Sequence, residues 1–324
     1  MKIQSTAAVL LVRPTTFGFD EQTAVTNTFQ NRVALGKPEV THFAEVEFQR
    51  LADTLEAHDI QTIIFEDEAE PPKPNAVFPN NWLSMWPDGR LYLYPMATKS
   101  RRLERSPRVL MELAKRFQIT KVVDLSNSEQ DGKFLESTGV MVFDHVHKIV
   151  YGCESVRCDE KLFRKHATEL GYEPMLVHAF DQHGAPMYHA NLLIAVQRST
   201  AVVCLEAIAD RTEREAIRAS LVATGHEVVD ITLEQLNAYC ANVLELHNAA
   251  GEHFLLLSRG AYEAFTPAQR AVLGKDKTLV PVAVPIIEKV GGGSVRCMMA
   301  EIFLPPKVPA PLNNPVPHAA TISA

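Results

Sequence analysis

One local pattern recurs five times along this chain of 324 residues and limits what it can fold into. Each copy is an amphipathic helical stretch, such as Ala44, Phe48, Leu51 and Leu55 on one face, followed by a short run rich in β-branched residues. The five runs of strand length are QTIIF (61–65), KVVDL (121–125), EPMLV (173–177), EVVDI (227–231) and LVPVAV (279–284). This alternation predicts an α/β protein built of repeated units.

Each of these runs is followed by a polar loop and two further apolar runs, which predict a β-hairpin. The hairpins are NWLSMW with RLYLY, GVMVF with KIVYG, NLLIAV with AVVCL, and NVLEL with HFLLL. A last run, CMMAEIFL, has no partner after it, because the Pro-rich segment PPKVPAPLNNPVP cannot continue a ladder. We therefore predict that AAVLLV (7–12) pairs with this run, which would join the chain ends and close a ring of ββαβ units.

Aligning the copies places one polar residue at the start of each hairpin. These residues are Asn81, Glu136, His189, Asn242 and Cys297, and they are 55, 53, 53 and 55 positions apart. Equivalent positions in a ring of repeats face its axis together. The spacing therefore predicts that two amides, a carboxylate, an imidazole and a thiol converge on one central pocket. For Asn242 the residue type suggests support of a turn rather than a catalytic role.

The composition and charge exclude several classes of protein. With 46% hydrophobic and 22% charged residues the chain has the composition of a globular protein. A formal net charge of −7 offers no footprint for nucleic acid, and no run of about 18 apolar residues would span a bilayer. The apolar stretch near the N-terminus is too short for a secretory signal, so we expect a cytoplasmic protein.

The repeat also predicts the domain organisation. Because five units of one ring occupy most of the chain, we expect a single catalytic domain over residues 1–304, closed by the N-terminal strand, and a Pro-rich tail over residues 305–324. Five cysteines without C-x-x-C spacing predict free thiols. His145 and His147 would share one side of a strand, but no carboxylate or third histidine follows at ligand spacing. We therefore expect no metal and no other cofactor.

Six segments, taken in order, resemble the guanidino-group-modifying superfamily of arginine deiminases, dimethylarginine hydrolases and amidinotransferases. Within it, they are most similar to the arginine-deiminase-related branch associated with citrulline hydrolysis. The segments are RPTTFGF (13–19), NAVFPNNW (75–82), FLESTGVMVFDH (134–145), YHANLL (188–193), NVLEL (242–246) and GGGSVRCMMAE (291–301). The resemblance implies a five-bladed pseudo-symmetric α/β propeller, or pentein, in agreement with the repeat.

The resemblance also implies catalytic roles for three of the aligned residues. Cys297 would be the nucleophile, His189 the acid and base, and Glu136 the carboxylate that binds substrate nitrogens. The carbon of a guanidinium or urea group is a poor electrophile, so its attack requires a strong nucleophile such as a thiolate. Arg296 beside Cys297 would favour the thiolate, and the glycines at 291–293 would let the backbone approach the site.

Three positions differ from enzymes that act on guanidinium substrates, where the residue is usually aspartate. Here they are Asn75, Asn81 and Asn191. A guanidinium buried against one remaining carboxylate is incompletely compensated, whereas a neutral ureido group has one oxygen to which an asparagine amide can donate. We therefore expect citrulline as the substrate. Asn80, Asn81 or Asn191 would polarise its carbonyl, and the sequence leaves open which of them does so.

The amino-acid end of such a substrate requires a cation for its carboxylate. Four arginines lie where they could overhang the site, and a solvated basic face is the alternative for each of them: Arg101, Arg102, Arg105 and Arg157. The charged, Pro-rich segment 66–75 is interpreted either as a lid or as a surface loop.

Two rival functions remain open at this point. One is a deiminase or dimethylaminohydrolase that acts on arginine or methylated arginine. The other is a propeller without catalytic activity that binds a partner. In the preferred interpretation the partner is a small amino-acid substrate, with no nucleic acid and no membrane, and a homo-oligomer is compatible with the sequence.

Overall fold

The computed structural model describes residues 3–307, so the predicted tail (305–324) lies outside the described residues from position 308 onward. Most segments that the sequence predicts to be extended form β-strands. In chain order the strands are β1 (Ala8–Arg13), β2 (Gln61–Glu66), β3 (Leu83–Met85), β4 (Arg90–Leu93), β5 (Lys121–Asp124), β6 (Val142–Asp144), β7 (Ile149–Cys153), β8 (Glu173–Val177), β9 (Ile194–Val196), β10 (Thr200–Val203), β11 (Glu227–Asp230), β12 (Leu244–His247), β13 (His253–Ser258), β14 (Thr278–Val282) and β15 (Ala300–Glu301).

Helices connect the strands. They are α1 (Glu21–Ala24), α2 (Lys37–Ala57), α3 (Lys99–Arg102), α4 (Pro107–Arg116), α5 (Ser137–Val140), α6 (Glu160–Leu170), α7 (Arg211–Ala223), α8 (Leu233–Asn237), α9 (Arg259–Ala264) and α10 (Pro267–Leu273). Several begin at side chains that cap the first turn, because the first backbone N–H groups of a helix have no partner within it. Asp159 accepts from the backbone N–H of Leu162, and Asp210 accepts from that of Glu213.

The strands form five separate three-stranded sheets, and each sheet has the same topology. The sheets are β3-β4-β5, β6-β7-β8, β9-β10-β11, β12-β13-β14 and β15-β1-β2. In each, the middle strand runs antiparallel to one neighbour and parallel to the other, and a helix lies between the two parallel strands. The predicted ββαβ unit is therefore confirmed. Within residues 3–307 no sheet closes on itself.

The two ends of the described chain meet in one sheet, as predicted. β1 pairs antiparallel with β15, where Leu10 lies opposite Ala300, and parallel with β2, where Leu10 lies opposite Ile63. β1 is thus the middle strand of a unit whose first strand, β15, comes last in the described sequence.

The core lies between the middle strands and the helices that cover them. Phe48, Leu51 and Leu55 of α2 are fully buried, as are Phe163 of α6 and Leu221 of α7. Successive residues of β1 and β10 are buried on both faces, which explains why residues 8–12 and 201–203 are continuous apolar runs rather than alternating ones. Of the helices in residues 3–307, none combines the length and hydropathy needed to cross a bilayer.

Short turns precede the first strand of the sheets and carry the aligned polar residues. Asn81 ends the 3-10 turn Pro79–Asn81, Glu136 directly precedes α5, and His189 directly precedes the 3-10 turn Ala190–Leu192. Cys297 lies in the 3-10 turn Val295–Met298, just before β15. The repeat therefore gives these side chains equivalent positions in the fold.

Replacement of Leu10 by alanine tests the dependence of the fold on the pairing of the chain ends. Leu10 is 1% exposed in a middle strand, so Leu10→Ala should lower the free energy of unfolding by about 2–5 kcal/mol. Urea denaturation followed by circular dichroism measures this change. Met111→Ala, at a position 58% exposed on α4, is the control and should stay within about 0.5 kcal/mol of the parent. Equal effects of the two substitutions would contradict a structural role for β1.

Candidate active site

Three of the five aligned residues, Asn81, His189 and Cys297, line a small cleft. Six residues proposed from the sequence line it: Asn75, Asn81, Arg101, Arg157, His189 and Cys297. The remaining lining comes from Thr23, Asn27, Phe78, Tyr188 and the glycines at 291–293. The turns that precede β3, β9 and β15 therefore meet at this cleft. Asn81 and Cys297, which both line it, are more than 200 positions apart in the sequence.

The thiol of Cys297 lies among amide donors. Its side chain is 3% exposed, and its Sγ accepts hydrogen bonds from Nδ2 of Asn191 at 3.5 Å and from Nδ2 of Asn242 at 3.3 Å. The backbone N–H of Cys297 donates to the carbonyl of Ser294 at 2.9 Å, which fixes the turn. Two N–H donors directed at sulfur stabilise negative charge that develops there.

Arg296 does not supply this stabilisation, contrary to the expectation from its position beside Cys297. Its guanidinium contacts the carboxylate of Glu301 at 3.2 Å and the carbonyl of Met299 at 3.5 Å. It lines a separate pocket rather than the cleft. Neighbouring residues in a turn direct their side chains differently, so adjacency in sequence did not place Arg296 at the sulfur.

All five cysteines are free, as predicted, but only Cys297 lines the cleft. The others are buried away from it, and burial raises the pKa of Cys153, Cys204 and Cys240 to about 12. Those thiols therefore stay protonated near neutral pH and are poor nucleophiles.

His189 and Glu136 form a buried hydrogen-bonded pair. His189 Nε2 lies 2.8 Å from Glu136 Oε2. Burial lowers the pKa of His189 to about 4, with Glu136 opposing this shift and Arg157 and Arg101 adding to it. The imidazole is therefore neutral near pH 7. Because an ionised carboxylate only accepts, Nε2 must carry the proton, which leaves the lone pair on Nδ1 as a base.

The carboxylate of Glu136 is ionised although it is fully buried. Burial acts to raise its pKa, but Arg157, the hydrogen bond from His189 and Arg101 together lower it below its usual range. Glu136 Oε1 also accepts from the backbone N–H of Ala97 at 3.0 Å, and Oε2 lies 3.4 Å from Arg157. Glu136 thus holds the orientation of His189 from behind, in the manner of the third member of a catalytic triad.

The proposed asparagines do not all reach the cleft. Asn75 lines it and donates through Nδ2 to Asp20 at 3.1 Å and to Thr23 at 3.2 Å. Asn191 contacts the sulfur but lies outside the lining of the cleft, and it lines the same separate pocket as Arg296. Asn80 is outside the lining, where its Nδ2 donates to Thr138 Oγ1 at 3.3 Å. Asn80 therefore ties its turn to α5.

Arg101 and Arg157 line the cleft, but most of their donors already have partners within the protein. Arg157 donates to Thr26 Oγ1, to the carbonyl of Thr23 and to Glu136. A guanidinium has five N–H donors, and these contacts leave one NH1 proton without a partner among residues 3–307. The other two arginines considered above, Arg102 and Arg105, pair with Glu129 and do not line the cleft.

Two features of the site were not predicted from the sequence, namely the contact of Asn242 with the sulfur and the contribution of Thr23 and Asn27. Asn242 contacts the sulfur directly, and its shared repeat phase with Cys297 was the signal for this role. Thr23 and Asn27 come from the segment after β1, which lies outside the repeat and has no such signal. Asn27 Nδ2 donates to the carbonyls of Gly291 and Gly292 at 3.3 and 3.4 Å, so this segment covers the cleft and holds its Gly-rich wall.

In segment 66–75, which the sequence predicts to be either a lid or a surface loop, a buried lysine contacts other residues of the same segment. Lys73 is 5% exposed, and its Nζ lies 3.1 Å from Asp67 and donates to the carbonyls of Glu68 and Pro71. These contacts hold the loop in one shape, and of its residues only Asn75 lines the cleft.

Away from the cleft, one group in residues 3–307 has the composition of a metal site. Asp144, His147 and His226 have ligand atoms within 4.8 Å of one another. Sequence spacing could not show this group, because His226 joins it from another unit. His145 is directed elsewhere, with Nδ1 2.7 Å from the hydroxyl of Tyr172. Both ring nitrogens of His226 have hydrogen-bond partners, Thr224 and the carbonyl of Gln197.

Titration of the histidine rings by NMR tests the state of the buried pair. His189 should remain neutral down to a pKa of about 4, whereas exposed His178, between Glu213 and Glu154, should titrate above 6.5. Since the folded pKa of His189 is lowered, its contribution to stability is present above pH 6.5 and is lost as the pH falls toward 4. A His189 titration at or above 6.5 would show that the ring is not buried as described.

Gly139 allows the close approach of Asn81 and His189. A Cβ at this position would lie 2.4 Å from Asn81 Nδ2 and 2.9 Å from His189 Cε1. Gly139→Ala should therefore displace both side chains. We expect it to lower the rate of the reaction catalysed at this cleft by at least about tenfold without unfolding the protein. Gly260→Ala, on the exposed helix α9 where the nearest atoms are 3.8 Å away, is the matched control. Equal activity of the two variants would refute the close approach.

The fold is similar to that of solved hydrolases. The N-terminal domain of ArgZ, an arginine dihydrolase from the ornithine–ammonia cycle in cyanobacteria, matches with a TM-score of 0.71 and 13% identity over 92% of this chain and 98% of that domain. Full-length ArgZ matches with a TM-score of 0.71 and 14% identity over 93% of this chain. The match covers 41% of that longer protein. At such identities the likeness shows the fold alone.

A dimethylarginine dimethylaminohydrolase, solved as an adduct with S-methyl-L-thiocitrulline, matches with a TM-score of 0.62 and 14% identity over 91% of this chain and 99% of that one. A comparison with curated proteins found no match. The family described as N,N dimethylarginine dimethylhydrolase, eukaryotic, matches residues 13–304. The chain therefore belongs to this family, within the guanidino-group-modifying superfamily.

Proposed function

We propose that this protein is a cysteine-dependent hydrolase that converts citrulline and water into ornithine, ammonia and carbon dioxide. One observation carries the choice of substrate. Within residues 3–307, the lining of the cleft includes two arginines, Arg101 and Arg157, and no aspartate or glutamate. Glu136 lies behind His189 and is already paired with Arg157.

This charge distribution favours a neutral substrate group. A guanidinium in the cleft would add a cation to a site where Glu104 and Glu136 are already paired with Arg101 and Arg157, and uncompensated buried charge is costly. A ureido group has no charge, and it offers N–H donors and one oxygen acceptor. The amides of Asn75 and Asn81 line the cleft and can supply partners of that kind, while those of Asn191 and Asn242 donate to Sγ of Cys297.

In the first half of the reaction, Sγ of Cys297 attacks the ureido carbon. The proton of the thiol passes to Nδ1 of neutral His189, and charge develops on the ureido oxygen. His189 then returns the proton to the departing nitrogen as the C–N bond breaks. The product of this half is an S-carbamoyl-type adduct on Cys297.

In the second half, water replaces the sulfur. His189 removes a proton from the water, a C–O bond forms, and the C–S bond breaks to regenerate Cys297. The group released is a carbamic acid, which loses carbon dioxide and so frees the second nitrogen. One citrulline and one water thus give one molecule each of ornithine, ammonia and carbon dioxide, and no oxidant or cofactor is needed. Glu136 keeps the tautomer of His189 in place through both halves.

We also propose that the five sheets form the blades of one propeller over residues 1–304. Contacts between successive units support this arrangement. Asn242 Nδ2 donates to the carbonyl of Asn191, and isolated bridges join Thr6 to Leu246 and Met85 to Ile302. The last of these connects the unit of β15 with that of β3, as closure of a ring requires.

Hydrolysis of arginine or methylated arginine is the second candidate function. It is favoured by the family match and by Glu136, which is an ionised carboxylate next to the cleft. Both candidates use the same nucleophile and base, so they differ in the group that the cleft accepts.

An activity panel separates the candidates. The purified protein is incubated with citrulline, arginine, methylated arginines and agmatine, and ammonia and the amino-acid product are quantified. We expect ornithine from citrulline, reduced by about 10³-fold or more in Cys297→Ala. Cys240→Ala, at a buried thiol outside the cleft, should retain activity. Citrulline formed from arginine would favour the second candidate, and inactivity on the whole panel would favour a binding protein.

A further inference from the structure

The orientation of one amide in the cleft is fixed by chemistry. Asn81 is 2% exposed, and NH1 of Arg101 lies 2.6 Å from its Oδ1. A guanidinium can only donate hydrogen bonds, so the atom of Asn81 that faces Arg101 must be the oxygen. The nitrogen Nδ2 consequently faces the other way and can only donate.

Arg101 is itself held in place. Its Nε and NH2 donate to Glu104 at 2.9 and 2.8 Å, and NH2 also donates to the carbonyl of Phe78 at 3.0 Å. The side chains of Arg101 and Glu104 are 3% and 2% exposed. A bidentate, buried ion pair of this kind leaves the guanidinium little freedom to swing away from Asn81.

The amide nitrogen of Asn81 has no hydrogen-bond partner within the described protein, although it is buried. It lies on the side of Gly139 and His189, because a Cβ on Gly139 would be 2.4 Å from Nδ2 and 3.0 Å from His189 Nδ1. A buried donor without a partner is destabilising unless a ligand supplies an acceptor. The proton-transfer end of the cleft therefore presents an unused donor.

We propose that Arg101 and Glu104 are positioning residues that lock the amide of Asn81 as a donor, so that the cleft selects a group with an oxygen on the reacting carbon. A ureido group has such an oxygen, whereas a guanidinium carries only N–H donors at that carbon. This inference rests on the proposed hydrolysis of citrulline and names the residues that determine its selectivity.

The sequence suggested another role for Arg101, in binding the substrate carboxylate. The two roles predict different results. Citrulline and arginine have the same carboxylate, so loss of a carboxylate contact weakens both equally. Loss of the lock on Asn81 weakens citrulline relative to arginine.

The test compares two sets of substitutions in the full-length protein. Arg101→Gln with Glu104→Gln keeps hydrogen-bonding groups but removes both charges, so that no unpaired charge is left buried and the amide of Asn81 is free to turn. Arg101→Lys keeps a cation that can only donate. For each variant, kcat/KM is measured for citrulline and for N-carbamoylputrescine, which lacks the carboxylate, and arginine is tested as a competitive inhibitor.

We expect the double variant to lose about tenfold or more of the preference for citrulline over arginine, and Arg101→Lys to retain most of it. An unchanged preference in the double variant overturns the lock. If only the preference for citrulline over N-carbamoylputrescine falls, Arg101 binds the carboxylate and the proposal is wrong.

Asn81→Asp provides an independent test in case the double variant does not fold. An aspartate accepts from Arg101 and presents a second acceptor to the cleft, so citrulline turnover should fall while arginine binds more tightly. An unchanged ratio would contradict the proposal. Failure of the proposed function is distinguishable, because the parent protein itself would then not hydrolyse citrulline.

Discussion

The pairing of the first strand with the last is the interaction on which the site depends. β15 has two residues, and its ladder in the described structure is with β1. Ile302 donates from its backbone to the carbonyl of Ala8, and the hydroxyl of Thr6 donates to the carbonyl of Ile302. The turn that holds Cys297 directly precedes β15. The position of the nucleophile near the end of the chain is therefore set by strand residues near its beginning.

Repetition provides the geometry of the site, and departures from repetition provide its chemistry. The segment before the first strand of each sheet carries an amide, a carboxylate, an imidazole, an amide and a thiol in the five units. Burial then determines their charge. It keeps His189 neutral, while two arginines keep Glu136 ionised, so the pair combines a base with a fixed acceptor behind it.

Most polar groups near the cleft are used to orient one another. Arg157 is bound to the segment after β1 and to Glu136, and Arg101 is bound to Glu104 and Asn81. Such a network costs desolvation, but it fixes which atoms remain available to a substrate. The sequence alone suggested that Arg101 and Arg157 bind a substrate carboxylate. In the structure, most of their N–H donors hold other groups of the protein in place.

The sequence by itself determined the strands, the ββαβ unit, the exchange of the N-terminal strand and the shared phase of Glu136, His189 and Cys297. Hydrophobic periodicity is local and was repeated five times, so these features could be read without contacts. Only the tertiary structure decided that Asn242 and Asn191 contact the sulfur, that Arg296 is directed away from it, and that Asn80 lies outside the cleft. Side-chain direction and hydrogen-bond partners depend on groups far away in the chain, and no local pattern encodes them.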